Sequence, residues 1–398
     1  MSESKDMKLF FESLKEFSNN LMEHSKNLQE SSGFMKKDLT KIEVNNKSAQ
    51  NSFSRLQEFI NDENITDVLI NKHDEVFVER QGQSLDKSDF TFASEESVNN
   101  LATYLAKKVG RVLSIDNPYV DARLEDGSRI NIVIPPISAD GTCISIRKFM
   151  DKKIDLGSMI QSGCLSARMA ELIAMSVASR LNIVISGGTG TGKTTLLNAI
   201  SNHISEKERI VTIEDSLELK LKKPHVVRLE ARPATTDKPN SAVTIRQLVA
   251  NALRMRPDRI IIGETRGSEA FDMIQAMNTG HEGSMTTLHA NKPRDVISRL
   301  ENMINMGNTN LPPKAIRTQI ASAIDLIVQV RRSEDGKRYI EYVTEIAGLE
   351  GDMISMQDIF VKRDDNYVWS GILPRFLPKL VEKGYKEKIN KTFNINLG

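Results

Sequence analysis

The chain is poor in cysteine, in aromatic residues and in long apolar runs, and each shortage narrows what it can be. Only Cys143 and Cys164 occur in 398 residues, neither with a partner at metal-site or redox spacing. That leaves no basis for a disulfide framework, and two buried thiols in a reducing cytosol is the plain reading. Aromatics make up 5% of the residues, and no basic stripe is interleaved with them as a base-stacking surface would require. An excess of one charge is missing too: 54 Lys and Arg against 53 Asp and Glu leave a formal net charge of +1. Coating a polyanion by charge alone is therefore disfavoured, while a local basic patch stays open. No segment approaches the ~18–20 apolar residues needed to span a bilayer. Charges interrupt every apolar stretch of the opening MSESKDMKLFFESLKEF, so no cleavable signal pattern is expected. The expected location is the cytosol, with any membrane attachment borrowed from partners.

What is there divides into sections. The length suits two domains, or three if a small one is appended. Residues 1–50 contain no Pro and one Gly, and Met7, Leu14, Leu21 and Leu28 recur every seven residues with Phe10 and Phe17 between them. This predicts an amphipathic helix that docks on its own domain or a partner, or pairs as a short coiled coil, followed by a polar connector. From 53 to 149 the pattern is a small α+β domain. ITDVLINK and EVFVERQG form a hairpin about His73-Asp74, Ser94 caps a helix reaching Lys108, VDARL and RINIVI flank Glu125-Asp126-Gly127, and CISIRKF is the last strand. Residues 150–158 read as an interdomain linker. From 159 to 398 apolar β-branched runs (NIVIS, RIVTIED, RIIIG, SMTTLHA) alternate with helical patterns such as Thr244–Leu253 and Ser268–Asn278. That is a βαβ arrangement and hence a doubly wound, RecA-like α/β core. A hairpin about Asp335-Gly336 and a polar tail end the chain.

The sharpest motif runs from Gly187 to Thr195: Gly187, Gly188, Thr189, Gly190, Thr191, Gly192, Lys193, Thr194 and Thr195, fitting GxxxxGK[ST]. A buried strand runs into it and a helical pattern, TTLLNAISNHI, leaves it. Glycines let successive backbone N–H groups converge on phosphate oxygens, and the helix N-terminus adds partial positive charge. Lys193 would span the β- and γ-phosphates and the Thr194 hydroxyl would ligate Mg²⁺. Nucleotide binding follows. In RPDRIIIGETRG an apolar strand ends in Glu264, displaced one residue past the strand by Gly263, where a carboxylate serves metal and γ-phosphate. IEDSLEL places Glu214, Asp215 and Glu218 in one turn at another strand end. Alone these could be a solvated helix start; beside a P-loop a water-activating base is the better reading. Glu214 is chosen because its strand is expected to leave it nearest the phosphates. His281 and His289 bracket a further strand; lacking a third ligand at useful spacing they do not resemble a zinc site, and either could sense the γ-phosphate or simply pack.

These four elements, in this order, resemble the Walker A, Asp box, Walker B and His box of the type II/IV secretion ATPase superfamily. VDARLEDGSRIN, SIRKF, VTIRQLVANALRMRPDRIIIGETRG and AMNTGHEGSMTTLHAN are similar almost word for word to its CpaF-type branch, which serves tight-adherence (Flp) pili. The resemblance covers roughly residues 55–380. It implies a homohexamer with ATP and Mg²⁺ held between the two domains, near subunit contacts. Lys193 and Thr194 then hold phosphate and metal, Glu264 and Glu214 serve metal, water or both, and His281 and His289 read the nucleotide state. Arg129 and Arg147, with Arg123 as a third candidate, would reach the phosphates from the N-terminal domain; Arg254 and Arg256, before the Walker B strand, could instead be helix-end packing. The implied work is ATP hydrolysis that drives pilus assembly or protein secretion through an inner-membrane platform protein, the enzyme sitting peripherally at the membrane through that partner. No direct nucleic-acid partner is expected. The rivals are a RecA-like nucleic-acid translocase, a nucleotide-binding switch with negligible hydrolysis, and a small-molecule kinase, for which no acceptor pocket or lid is visible in the sequence.

Overall fold

In the small N-terminal unit, alternation decides the architecture. β1 (Ile65–Lys72) and β2 (Glu75–Arg80) bury Val68, Ile70, Val76 and Val78 on one face, with Ile65 buried beyond a bulge, while Leu69 and Phe77 stand half-buried among polar residues on the other. The computed structural model describes residues 56–80, 83–124, 126–149, 154–232, 241–307 and 311–397. The amphipathic helix expected within 1–50 lies outside the described residues. Chain contacts define two units, Met1–Asp151 and Lys152–Gly398.

The first unit holds a six-stranded antiparallel sheet in the order β3-β2-β1-β6-β5-β4, where β3 is Leu85–Lys87, β4 Tyr119–Arg123, β5 Arg129–Val133 and β6 Cys143–Arg147. Helix α1 (Glu95–Lys108) covers it. Ser94 caps α1 by accepting from the Ser97 N–H, and the glutamates of its first turn and lysines of its last complement the helix dipole. Val98, Leu101 and Leu105 seal the core against Ile130, Ile132, Ile144 and Ile146. The β4–β5 hairpin turns at Gly127, with φ +87, and Asp126 Oδ1 accepts from the Ser128 N–H at 2.9 Å. Its register pairs Arg123 with Arg129, and β6 pairs Arg129 with Arg147, which in turn pairs with Asp67 of β1. Directly paired residues share a face, so the three arginines form one row across three strands. Arg147 Nε lies 3.0 Å from Asp67 Oδ1 at the end of that row.

The second unit is built on a nine-stranded sheet, ordered β15-β14-β13-β12-β7-β11-β10-β8-β9. Its strands are β7 (Ile183–Gly187), β8 (Ile210–Glu214), β9 (Val226–Glu230), β10 (Arg259–Ile262), β11 (Met285–Leu288), β12 (Leu326–Arg332), β13 (Arg338–Glu350), β14 (Met353–Arg363) and β15 (Asn366–Trp369). Strands β12 through β9 run parallel to their neighbours, and β12 through β15 form an antiparallel meander at the other edge. Both faces are covered. Ile183 and Ile185 of β7 join one core with α3 (Ala167–Ala178) and α4 (Lys193–Ser201). Val184 joins the other, with α5 (Ile245–Ala252), α6 (Glu269–Asn278), α7 (Pro293–Met306) and α8 (Pro313–Ala323). This two-sided burial is why the parallel strands read as unbroken apolar runs.

Two expectations need correction. The stretch 150–158 is not linker throughout: α2 (Leu156–Gln161) starts inside it, because Asp155 and Ser158 form a reciprocal cap and Leu156 and Met159 reach the core. The polar tail is also structure. After β15, α9 (Leu377–Glu382) and α10 (Lys386–Phe393) pack back onto the unit, with Ile389 and Phe393 buried one helical turn apart. The Phe393 ring stacks on Phe360 at 5.9 Å between centroids and sits beside Trp369. Lys386, Lys388 and Lys391 of α10 are exposed, which gives the segment its polar composition. Among the described residues no helix is long and apolar enough to cross a membrane.

Candidate active site

Strand β7 is fully buried between β11 and β12 and delivers the glycine loop to the C-terminal edge of the sheet. Gly187 is required there by close approach: a Cβ on it would overlap the carbonyl oxygen of Val330 and lie 2.8 Å from Thr191 Oγ1. Gly190 and Gly192 have φ of +68 and +92, a region costly for any residue with a Cβ. Helix α4 begins at Lys193 with Gly192 as its N-cap and no side-chain cap, so its first amides remain available to an anion. Thr194 and Thr195, half-buried, stand in its first turn. Lys193 is buried, and its Nζ donates to the carbonyls of Gly188 at 2.8 Å and Gly187 at 3.2 Å. Burial pushes its pKa down, and the Arg266 charge adds to that, against the pull of Glu264 and Glu218.

One strand further on, past β11, stands the end of β10. The chain beyond it is tied to β11: Thr265 N–H donates to the Thr287 carbonyl at 2.8 Å, and Thr287 Oγ1 donates to the Gly263 carbonyl at 2.7 Å. This holds Glu264 over the gap between the two strands. Its Oε2 accepts from Arg266 Nη2 at 2.7 Å. Its Oε1 lies 3.0 Å from His289 Nε2, a contact of proximity without hydrogen-bond alignment. Burial alone would raise the Glu264 pKa, but the Arg266 hydrogen bond and charge, then His289 and Lys193, outweigh it and hold the carboxyl below its ordinary range. His289 is pushed down, by burial first and by Lys193 next, which favours a neutral ring.

Glu214 ends β8. Its Oε2 accepts from the N–H groups of Glu218 at 2.6 Å and Leu219 at 2.8 Å, while Oε1 is buried with no partner. Burial raises its pKa despite those two amides. The side chain crosses Gly263, where an added Cβ would meet Glu214 Cγ at 2.9 Å; a glycine before Glu264 is what allows this crossing. The strand order corrects one expectation: β11 and β10 stand between β7 and β8, so it is Glu264 that neighbours Lys193.

The structure thus brings together the loop Gly187–Thr195, Lys193, Glu264 and His289. It does not bring in His281, which precedes β11 and so lies at the opposite end of a strand that runs parallel to β7. Its Nδ1 is buried with no hydrogen-bond partner. Arg254 and Arg256 likewise precede β10, at the edge away from the loop, and Arg254 Nη1 donates to the Ala250 carbonyl of its own helix end. Arg123, Arg129 and Arg147 belong to the first unit, in the row described above. Sequence reading missed Arg266, which also comes within 3.6 Å of Asp215; its place two residues after the acid was the available signal. It also missed Arg338, whose Nε donates to the Gly190 carbonyl at 2.9 Å from 148 positions away.

Comparison with known proteins bears on the family and the fold. The sequence pattern of the family described as type II/IV secretion system protein matches residues 49–343. The chain belongs to that family. Among its relatives, the type IV secretion system protein PtlH of Bordetella pertussis is 33% identical over 311 residues, covering 71% of this chain and 90% of PtlH. The conjugal transfer protein TrbB of Rhizobium radiobacter is 32% identical over 298 residues, covering 73% and 86% of the two chains. The crystal structure of the ATPase DotB from Yersinia pseudotuberculosis superposes with a TM-score of 0.55 at 16% identity, over 87% of this chain and 84% of DotB, a likeness of fold. With its P-loop, its acids at the ends of adjacent strands and its family established, this secretion-family chain is an ATP hydrolase with a RecA-like core.

Proposed function

We propose that the chain is the hexameric motor of a secretion or pilus system, turning ATP hydrolysis into work on an inner-membrane platform. The observation that carries this reading is the meeting of Lys193, an ionised Glu264 and His289 at the mouth of the glycine loop. A pure nucleotide binder needs the loop but not the acids.

The residues fit ATP with Mg²⁺. The glycine loop runs into a helix whose first amides carry no side-chain cap, and Glu264 is kept charged by Arg266. Among the described residues no group of three or more His, Cys, Asp or Glu forms a metal cage; one hydroxyl, one carboxylate and the phosphates suffice for Mg²⁺. When bound, that ion supplies charge to the phosphate oxygens in the transition state. Thr194 and Glu264 are the residues we assign to hold it. Lys193 leaves the two loop carbonyls for the phosphates. Glu214, whose carboxyl holds a proton more readily than usual, is assigned as proton acceptor behind Gly263, since a base works best with its pKa raised toward the working pH. The row Arg123, Arg129 and Arg147 offers closely spaced cations fit to stabilise transferring phosphate, and the reading assigns them to a hexamer's shared sites.

The test is the Mg-ATPase rate per chain against protein concentration, with Lys193→Ala and Arg147→Ala beside the native protein. Specific activity should rise steeply with concentration, and both variants should be inactive while folded. Normal turnover in Lys193→Ala would sink the site assignment. A flat concentration profile with an unharmed Arg147→Ala would sink the hexameric motor and leave a self-contained ATPase.

A further inference from the structure

The glycine loop is held from the meander side of the sheet by an arginine that no motif marks, with a second arginine beside it. β12 is the parallel neighbour of β7, pairing Val330 with Gly187, and Ser186 Oγ donates to Gln329 Oε1 at 2.5 Å. Two residues beyond Val330 comes Arg332, and the hairpin register sets Arg338 of β13 opposite it. Both reach the loop. Arg338 Nε donates to the Gly190 carbonyl at 2.9 Å, its Cδ would touch a Cβ at Gly192 at 3.3 Å, and Arg332 Nη1 lies 3.7 Å from where a Gly190 Cβ would stand.

A peptide plane carries its C=O and the following N–H in opposite directions. Holding the Gly190 oxygen toward Arg338 therefore aims the Thr191 N–H the other way. A flip of this peptide turns on ψ of Gly190 and φ of Thr191, and Gly190, at left-handed φ and without a Cβ, leaves the first of these little restrained. A flip would turn a carbonyl oxygen toward the incoming phosphates in place of an amide.

We propose that Arg338 is a positioning residue for nucleotide: its hydrogen bond fixes the Gly190–Thr191 peptide in the anion-binding orientation, and Arg332 beside it adds cationic charge at the same loop. The proposal rests on the nucleotide-site reading above. It acts on binding, because the peptide must be oriented before phosphate arrives, and it makes the meander β12–β13 part of the nucleotide site.

The experiment uses the full chain and a fluorescent ADP analogue, with KM and kcat for ATP measured alongside. Arg338→Ala should weaken analogue binding and raise KM by about tenfold, the worth of one charge-assisted hydrogen bond, with kcat at saturation within about twofold. Arg338→Lys, which keeps a donor and a charge, should recover part of the affinity; Arg338→Met, which keeps the stem alone, should not. Thermal melts separate this from simple damage: a fold defect lowers the melting temperature and kcat together. Unchanged affinity in Arg338→Ala, or equal recovery by Met and Lys, would overturn the proposal. Lys193→Ala in the same assay keeps the two readings apart. If it binds the analogue normally, the nucleotide site itself is misassigned; if it fails to bind while Arg338→Ala binds normally, only the positioning role falls.

Discussion

Gly187 and Gly188 are adjacent glycines in the same nucleotide motif, and the structure says they fail differently. In Gly187→Ala the new methyl overlaps the Val330 carbonyl and comes within 2.8 Å of Thr191 Oγ1. The first obstacle is backbone in the middle of a parallel ladder, which no rotamer change can remove. In Gly188→Ala the nearest atom is Thr191 Cγ2 at 3.7 Å, an ordinary contact, and the backbone is not left-handed. Overpacking against rigid neighbours costs about 1–3 kcal/mol, and the upper end applies where the neighbour is a carbonyl in a sheet. For a domain of roughly 150–250 residues each kcal/mol lowers the melting temperature by about 2–4 °C. Gly187→Ala should therefore melt roughly 6–12 °C below the native protein, and Gly188→Ala within about 2 °C of it. Differential scanning calorimetry on the nucleotide-free proteins gives the comparison directly. Equal losses in the two variants, or a native-like Gly187→Ala, would refute the claim that β12 closes against the loop.

Three further outcomes follow from the electrostatics. Glu214 has its pKa raised by burial, so the folded state holds its proton more tightly than the unfolded chain does. Its contribution is thus fully present below the ordinary carboxylate pKa and is lost as pH rises through the folded value; Glu214→Gln should gain stability relative to native with rising pH across that window in thermal melts, while turnover stalls and ATP still binds. Glu264 is held ionised mainly through Arg266; Arg266→Gln should move the acidic limb of the kcat profile to higher pH, and an unmoved limb would show that another group sets it. Arg259 is fully buried, bonded to both Glu208 oxygens at 2.8 and 2.9 Å and to the Val177 carbonyl at 2.8 Å. Arg259→Ala leaves Glu208 without its main partner and should cost about 3–5 kcal/mol in urea unfolding, with a loss under about 1 kcal/mol refuting the tie.

What could be read from the sequence was what local chemistry encodes. The glycine loop, the strand NIVIS before it and the helix after it are contiguous, so their geometry follows from spacing and φ requirements alone. Glu264 and His289 were also legible, because acids and histidines just past parallel strands gather at one edge whatever the strand order. The strand order itself was not: nothing within IEDSLEL says that β8 lies two strands beyond β11, and Glu214 was accordingly expected too near the phosphates. That His281 and His289 part company was legible too. A four-residue strand rises about 13 Å, so histidines before and after it occupy opposite edges of the sheet.

The contact of Arg338 with the loop was out of reach for a different reason. It depends on register, and register in a hairpin is set jointly by its turn and its buried face. Here Ser333 N–H donates to the Lys337 carbonyl at 2.9 Å and Gly336 takes φ +85, which closes the turn and pairs Arg332 with Arg338. Ile340, fully buried, pins the same register by donating its N–H to the Cys164 carbonyl at 2.8 Å. A slip of one residue would send Arg338 to the other face and set Lys337 or Tyr339 opposite Arg332. A turn and a core residue of β13 together therefore decide which side chain meets Gly190, and a substitution at Gly336, far from the motif in sequence, should weaken nucleotide binding in step with Arg338→Ala.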